Sequence, residues 1–138
     1  MKKISLAEIE YLAHRLAKEY LEFDEPIPDF SSRFPNLLES SISVPFQQFG
    51  KKDVYRGLTA KSAILFYLMV KNHPFQNGNK RIAMMTLLIF IYKNKKWIKA
   101  DNQELYNFAV WVAQSPAKLK DQVVEGIEKF IRTSIINL

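Results

Sequence analysis

Within Asn72-His73-Pro74-Phe75-Gln76-Asn77-Gly78-Asn79-Lys80-Arg81, several side chains with chemical capability fall inside ten residues. A neutral imidazole at His73 can take a proton from an attacking hydroxyl. Asn77-Gly78 is a turn dipeptide whose residues readily take positive φ, which lets successive backbone amides point the same way and form an anion nest. Lys80 and Arg81 then fall in the first turn of a following helix. That is the unfavourable end for cations, because the positive pole of the macrodipole lies there. Two cations beside open N–H groups make sense around a bound anion, and phosphate is the usual choice. Phe75, apolar inside a polar run, anchors the loop to the core.

Each feature has a plainer reading when taken alone. A histidine before proline is often structural, and a Lys-Arg pair at a helix start can be ordinary surface charge. It is the ordered combination that points to phosphate chemistry. The other histidine, His14, lies among Ala and Leu on an amphipathic helix and reads as structural.

Two apolar helices must hold this loop. Ala63, Ile64, Phe66, Tyr67, Met69 and Val70 cover nearly a whole helical circumference before it, with Thr59 as the N-cap, and residues 80–94 are apolar on all sides after it. Helices apolar all round are buried, so this pair forms the centre, and a loop joining buried helices has its ends fixed by the core.

Around the pair, Ser5-Leu6-Ala7-Glu8 reads as a capping box opening a helix that reaches about Phe23, with Glu25-Pro26-Ile27-Pro28-Asp29 as its breaker. Leu37 to Ser43 can form a short helix. Asp101 caps a helix reaching Gln114, and Ser115-Pro116 opens a last helix to about Ser134. Residues 45–57 place two aromatic, extended stretches around Gly50-Lys51-Lys52-Asp53, a β-hairpin with a polar tip. The expectation is a mostly all-α bundle of about six helices with one small hairpin, as a single domain over residues 1–138.

Composition bounds the rest. The chain has 138 residues, 48% hydrophobic and 25% charged, with 4 Gly and 6 Pro, which excludes disordered and collagen-like classes. Cys is 0, so thiolate metal sites and Cys nucleophiles are excluded. The longest apolar run, Ile82 to Tyr92, is short of the ~20 residues a bilayer needs. The first ten residues meet carboxylates before an apolar region forms, unlike a signal peptide, so a cytoplasmic protein is expected. Net charge is +6, and the surplus lies in residues 69–138, which hold 11 basic and 5 acidic side chains against 9 and 9 in residues 1–68. That suits an anionic ligand or partner. A nucleic-acid-binding module, drawn from Lys93, Lys95, Lys96 and Lys99, ranks behind, because no groove-reading motif accompanies them.

The run from His73 to Arg81 closely resembles the signature of the Fic/Doc superfamily, His-x-Phe-x-[Asp/Glu]-[Gly/Ala]-Asn-[Gly/Lys]-Arg. Lysine at Lys80 is similar to the Doc ("death on curing") branch, as are Lys61-Ser62-Ala63-Ile64-Leu65-Phe66-Tyr67 and Ile82-Ala83-Met84. The likeness covers residues 40–115 well. It implies a Fic-type bundle and nucleotide-dependent modification of a protein hydroxyl, by AMP transfer in Fic enzymes or by phosphate transfer from ATP in Doc-type toxins. In the latter the target is translation elongation factor Tu and a separate antitoxin silences the enzyme.

Carried over by residue, the resemblance makes His73 the general base. Gly78 and Asn79 become the anion nest, with the Asn79 side chain also on phosphate, and Lys80 and Arg81 neutralise the phosphates during transfer. It makes the hairpin of residues 45–57 the flap that holds the target as an added strand. ATP and Mg²⁺ are the implied cofactors.

One position departs. The acid that holds Mg²⁺ in the family is here Asn77, whose amide oxygen brings no charge. Three outcomes stay open: weak metal binding, metal held chiefly by the nucleotide, or a domain that binds without transfer. An inhibitory helix of pattern [Ser/Thr]-x-x-x-Glu-[Gly/Asn] has only Asp121-Gln122-Val123-Val124-Glu125-Gly126 as its nearest match, which reads as coincidence.

Overall fold

The computed structural model describes residues 1–21 and 26–138. The expected helix end at Phe23 and the breaker residue Glu25 therefore lie outside the described residues. The first helix starts as anticipated. Ser5 Oγ accepts the Glu8 N–H at 3.2 Å and Glu8 Oε1 accepts the Ser5 N–H at 2.9 Å, completing the capping box. It proceeds as α1 (Leu6–Glu8), a π-helical stretch (Ile9–His14) and α2 (Arg15–Tyr20).

A 3-10 turn (Phe30–Ser32) leads to α3 (Pro35–Ser43), which opens on a proline, and a second 3-10 turn (Val44–Phe46) leads to the hairpin. Helix α4 (Gly57–Lys71) and helix α5 (Asn79–Lys93) form the centre. Every residue of α4 from Lys61 to Val70 is buried. Ten residues of α5 are buried too, as all-round apolar sequences require. Helix α6 (Asn102–Gln114) is capped by Asp101, whose carboxylate accepts the Glu104 N–H at 2.7 Å. A 3-10 turn (Ala117–Leu119) and helix α7 (Lys120–Ser134) follow. The architecture is mostly α, with one contiguous apolar core drawing residues from Ile4 to Ile131.

Several local expectations are corrected. Helix α4 begins at Gly57 with Arg56 at the cap position, so Thr59 stands inside its first turn. Ser115 is extended at the end of α6, as a residue before proline prefers, and Pro116 caps the short 3-10 turn while α7 starts at Lys120. In the hairpin, β1 (Gln48–Phe49) pairs with β2 (Lys52–Asp53), leaving Gly50 and Lys51 as the tip with φ of 57° and 69°. Positive φ at both central residues is what a tight two-residue turn demands.

A second antiparallel pair was not anticipated. β3 (Lys96–Ile98) pairs with β4 (Ile135–Asn137), Trp97 opposite Ile136. Three-residue strands so distant in sequence leave no local signature; the ribbon is closed at one end by Lys99 N–H donating to Ser134 O and at the other by Leu138 N–H donating to Lys95 O.

Two long-range ties fix the start of the motif loop. The Lys71 ammonium donates to Ser115 O at 2.6 Å and Ala113 O at 3.3 Å, binding the last residue of α4 to the open carbonyl end of α6. Asn72 Nδ2 donates to Ser41 Oγ at 3.2 Å, binding the loop to α3.

Candidate functional site

The loop leaves α4 through His73, which is exposed and has a φ of 50°. A non-glycine residue in this left-handed region carries strain of roughly 1–2 kcal/mol. The neighbours hold it there. Asn72 N–H donates to Leu68 O at 2.9 Å, and Pro74 O accepts the N–H of Phe34 at 2.8 Å. Strain kept in place by its surroundings is a reason to suspect function at this histidine.

Phe75 is 1% exposed. Its ring lies 5.7 Å from His14 and 5.9 Å from Phe30, so three rings from three segments meet under the loop. The buried His14 ring nitrogen Nε2 lies 2.8 Å from Pro28 O, an acceptor only, so Nε2 carries the proton and donates. The structural reading of His14 matches this burial.

Asn79 opens α5. Its Oδ1 accepts the Phe75 N–H at 2.9 Å and its Nδ2 donates to the Phe75 carbonyl at 2.8 Å. These two bonds set which way the amide faces. They present Nδ2 to His73 Nδ1 at 3.4 Å, a long and weak contact. The Asn79 side chain thus holds the loop, a task the motif alone did not disclose. What it has left for an anion is its backbone N–H at the helix start.

Gly78 is the N-cap, with φ 77°. A Cβ here would come within 2.8 Å of Ile27 Cγ1 and 3.5 Å of Arg81 Nη2. Both the backbone conformation and the space therefore require glycine. Arg81 is 3% exposed with Nη1 3.4 Å from Leu21 O, so a buried guanidinium lies against the first turn of α5. Lys80 is half-buried one residue earlier, and no acidic residue stands in that turn. The structure thus places both cations at the positive pole of α5, the arrangement expected from sequence.

Asn77 is half-buried, and its Oδ1 accepts the Gly78 N–H at 2.8 Å. This amide oxygen, neutral and already bonded, is a poor seat for Mg²⁺, which favours carboxylate and phosphate oxygens. Among the described residues no group of three or more His, Cys, Asp or Glu could hold a metal ion. The described residues do not fit a Mg²⁺ held by the protein itself.

The hairpin is not at this site. Lys61, buried on α4, pairs with Asp53 Oδ2 at 2.9 Å and donates to Tyr55 O, and its ammonium lies 5.6 Å over the Phe46 ring. Lys61 precedes the end of α4 by ten residues, roughly 15 Å of helix. Phe46 packs edge-on to Phe90 at 5.8 Å, and Phe90 is eleven residues, roughly 16 Å, from the start of α5. Residues 45–57 form the expected hairpin but dock at the opposite ends of both central helices, so the flap expectation for them is corrected. What borders the motif loop is residues 26–34, through Ile27 at Gly78, Pro28 at His14, Phe30 at Phe75 and Phe34 at Pro74. In sequence, Pro26 and Pro28 read only as helix breakers. Their stiffness also suits a segment that must lie still against a site.

Glu125 lines a groove with Tyr55, Ile64 and Val124, along the first half of α4 and away from the loop. Its sequence context therefore does not correspond to a carboxylate placed at the motif loop. Charge perturbations also lie elsewhere. Hydrogen bonds from Gln48 and then Lys61 hold the Asp53 carboxyl below its usual range. Burial, and then the charge of Asp121, push the Tyr67 phenol up.

No helix among the described residues is long and apolar enough to cross a membrane. The family model described as Fic/DOC family matches residues 3–91, which takes in the first helix, the hairpin, the motif loop and most of α5. No curated protein and no solved structure matches the chain.

Proposed function

The chain belongs to the Fic/DOC family, and from that premise we propose that it transfers the γ-phosphoryl group of ATP to a Ser or Thr hydroxyl of a target protein. The observation that carries this reading is the placement of exposed, strained His73 beside the first turn of α5, where Lys80 and Arg81 gather positive charge. In the reaction the target hydroxyl oxygen attacks the γ-phosphorus, its proton passes to His73, and ADP leaves. The chain's share is positioning and electrostatic stabilisation, which is most of what phosphoryl transfer needs. Backbone N–H groups at the start of α5 receive phosphate oxygens, while Lys80 and Arg81 offset the charge that spreads over them. MgATP is the substrate, with its metal held by phosphate oxygens rather than by Asn77.

The contact from Asn79 favours a resting His73 with its proton on Nε2, because Nδ2 offers Nδ1 a donor. A base acting through Nε2 needs the other tautomer, so this weak contact breaks as the hydroxyl arrives. Residues 26–34, rather than the hairpin, take the place of the element that holds the target segment.

Within this reading the chain is a Doc-like toxin acting in the cytoplasm on translation elongation factor Tu or a similar protein, and an antitoxin chain silences it. Lys80 favours phosphate over AMP on the family pattern. AMP transfer, as in Fic enzymes, uses the same nest with the nucleotide reversed. Asn77 favours a further reading, a Fic-fold protein that binds nucleotide without efficient transfer.

The test is the intact mass of elongation factor Tu after incubation with the chain and MgATP, with His73→Ala as control. A His73-dependent gain of one phosphate is expected, and a gain of one AMP reverses the nucleotide. Activity that appears only in Asn77→Asp establishes the binding-protein reading for the natural sequence.

A further inference from the structure

The segment that borders the motif loop carries a half-buried guanidinium, Arg33, with one donor left unpartnered. Arg33 follows the 3-10 turn Phe30–Ser32, and Phe34 beside it donates its N–H to Pro74 O at 2.8 Å. Arg33 is thus one residue from a main-chain bond to the residue after His73. Its guanidinium lies 4.4 Å over the Phe30 ring, and Phe30 in turn packs on His14 and Phe75. This cation–π contact draws the group to the ring cluster under the loop.

A guanidinium has five N–H donors. One of them, on Nη1, reaches Phe30 O at 3.4 Å, which is long. Arg33 Nε is buried with no hydrogen-bond partner. No carboxylate pairs with Arg33 among the described residues; the nearby Asp29 is paired with Lys18 at 3.5 Å. A buried donor left unmet on the segment that borders the motif loop is a place for an anion to complete, as native buried donors are nearly always satisfied.

We propose that Arg33 is an oxyanion-binding residue of this site, gripping a phosphate group of the nucleotide from residues 26–34 while Lys80 and Arg81 act from α5. The proposal rests on the nucleotide-dependent reading above. The planar fork suits two phosphate oxygens at once, which an ammonium cannot match.

The test is calorimetric titration of ATP and of AMP, in the presence of Mg²⁺, into the full chain and its Arg33→Gln and Arg33→Lys variants, with thermal unfolding measured in parallel. Arg33→Gln is expected to weaken ATP binding tenfold or more and AMP binding less. Arg33→Lys recovers only part of the loss, and neither variant loses more than a few degrees in Tm. Equal ATP affinity in the wild type and Arg33→Gln overturns the role of Arg33 and leaves the nucleotide reading standing. Unchanged nucleotide affinity with a raised KM for the target protein overturns it in favour of a carboxylate on that target. A wild-type chain that binds neither nucleotide removes both the proposal and the reading beneath it.

Discussion

Asn79 closes the motif loop on Phe75, accepting the Phe75 N–H at 2.9 Å and donating to the Phe75 carbonyl at 2.8 Å. One amide thus satisfies both main-chain groups of a fully buried aromatic residue. Asn79→Ala leaves both unpaired, at about 1–3 kcal/mol for each orphaned group. Asn79→Asp keeps the acceptor but sets a carboxylate oxygen against the Phe75 carbonyl. Both variants should lower stability and speed amide exchange at Phe75, read by chemical denaturation and hydrogen exchange. Wild-type protection at Phe75 in Asn79→Ala would mean that the loop is held by its ends alone.

His73 separates strain from chemistry. Alanine at φ 50° keeps the backbone penalty, whereas glycine does not. His73→Gly should therefore be more stable than His73→Ala by about 1 kcal/mol, partly offset by glycine's greater freedom when unfolded. Both should lose transfer by orders of magnitude, because neither can take the hydroxyl proton. The measurements are urea midpoints and single-turnover rates.

Gly78 and Ile27 should be energetically coupled. Gly78→Ala meets Ile27 Cγ1 at 2.8 Å and a φ of 77°, so it should cost more than about 1 kcal/mol. Ile27→Ala alone should cost about 2–5 kcal/mol through the cavity it leaves. The double variant should be less destabilised than the sum of the two, by roughly 0.5 kcal/mol or more, because the clash disappears while the backbone strain stays. Strict additivity in a double-mutant cycle would place the cost of Gly78→Ala in φ alone.

The hairpin should loosen in acid. Gln48 and Lys61 lower the Asp53 carboxyl from its ordinary value, so folding favours its ionised form. A depressed acid contributes stability that is complete above its unfolded pKa of about 4 and is lost as pH falls through the lower folded value. Amide signals of Gln48 and Asp53 should move together across that acidic window, and Asp53→Asn should abolish the shared transition. Residues of the motif loop, docked at the other ends of α4 and α5, should not follow it.

How much was legible depended on the range of the interaction. The caps at Ser5 and Asp101, the all-round apolar character of α4 and α5 and the loop between them could be read directly, because each follows from residues within a turn or two of one another. The order of histidine, phenylalanine, glycine and two cations in residues 73–81 likewise needs only local chain geometry to bring Gly78 to the cap of α5 and both cations into its first turn. The sequence also contained the hairpin, but not its position. Where it docks was decided by Lys61, Asp53 and Phe46 meeting along the first half of α4 and the last half of α5. Only the tertiary structure brought residues 26–34 to the loop, paired β3 with β4 and left Arg33 Nε buried without a partner. Periodicity and capping describe a chain's own helix turns. Contacts between segments far apart in sequence are selected by the packing of one shared core, and no single stretch of residues encodes them.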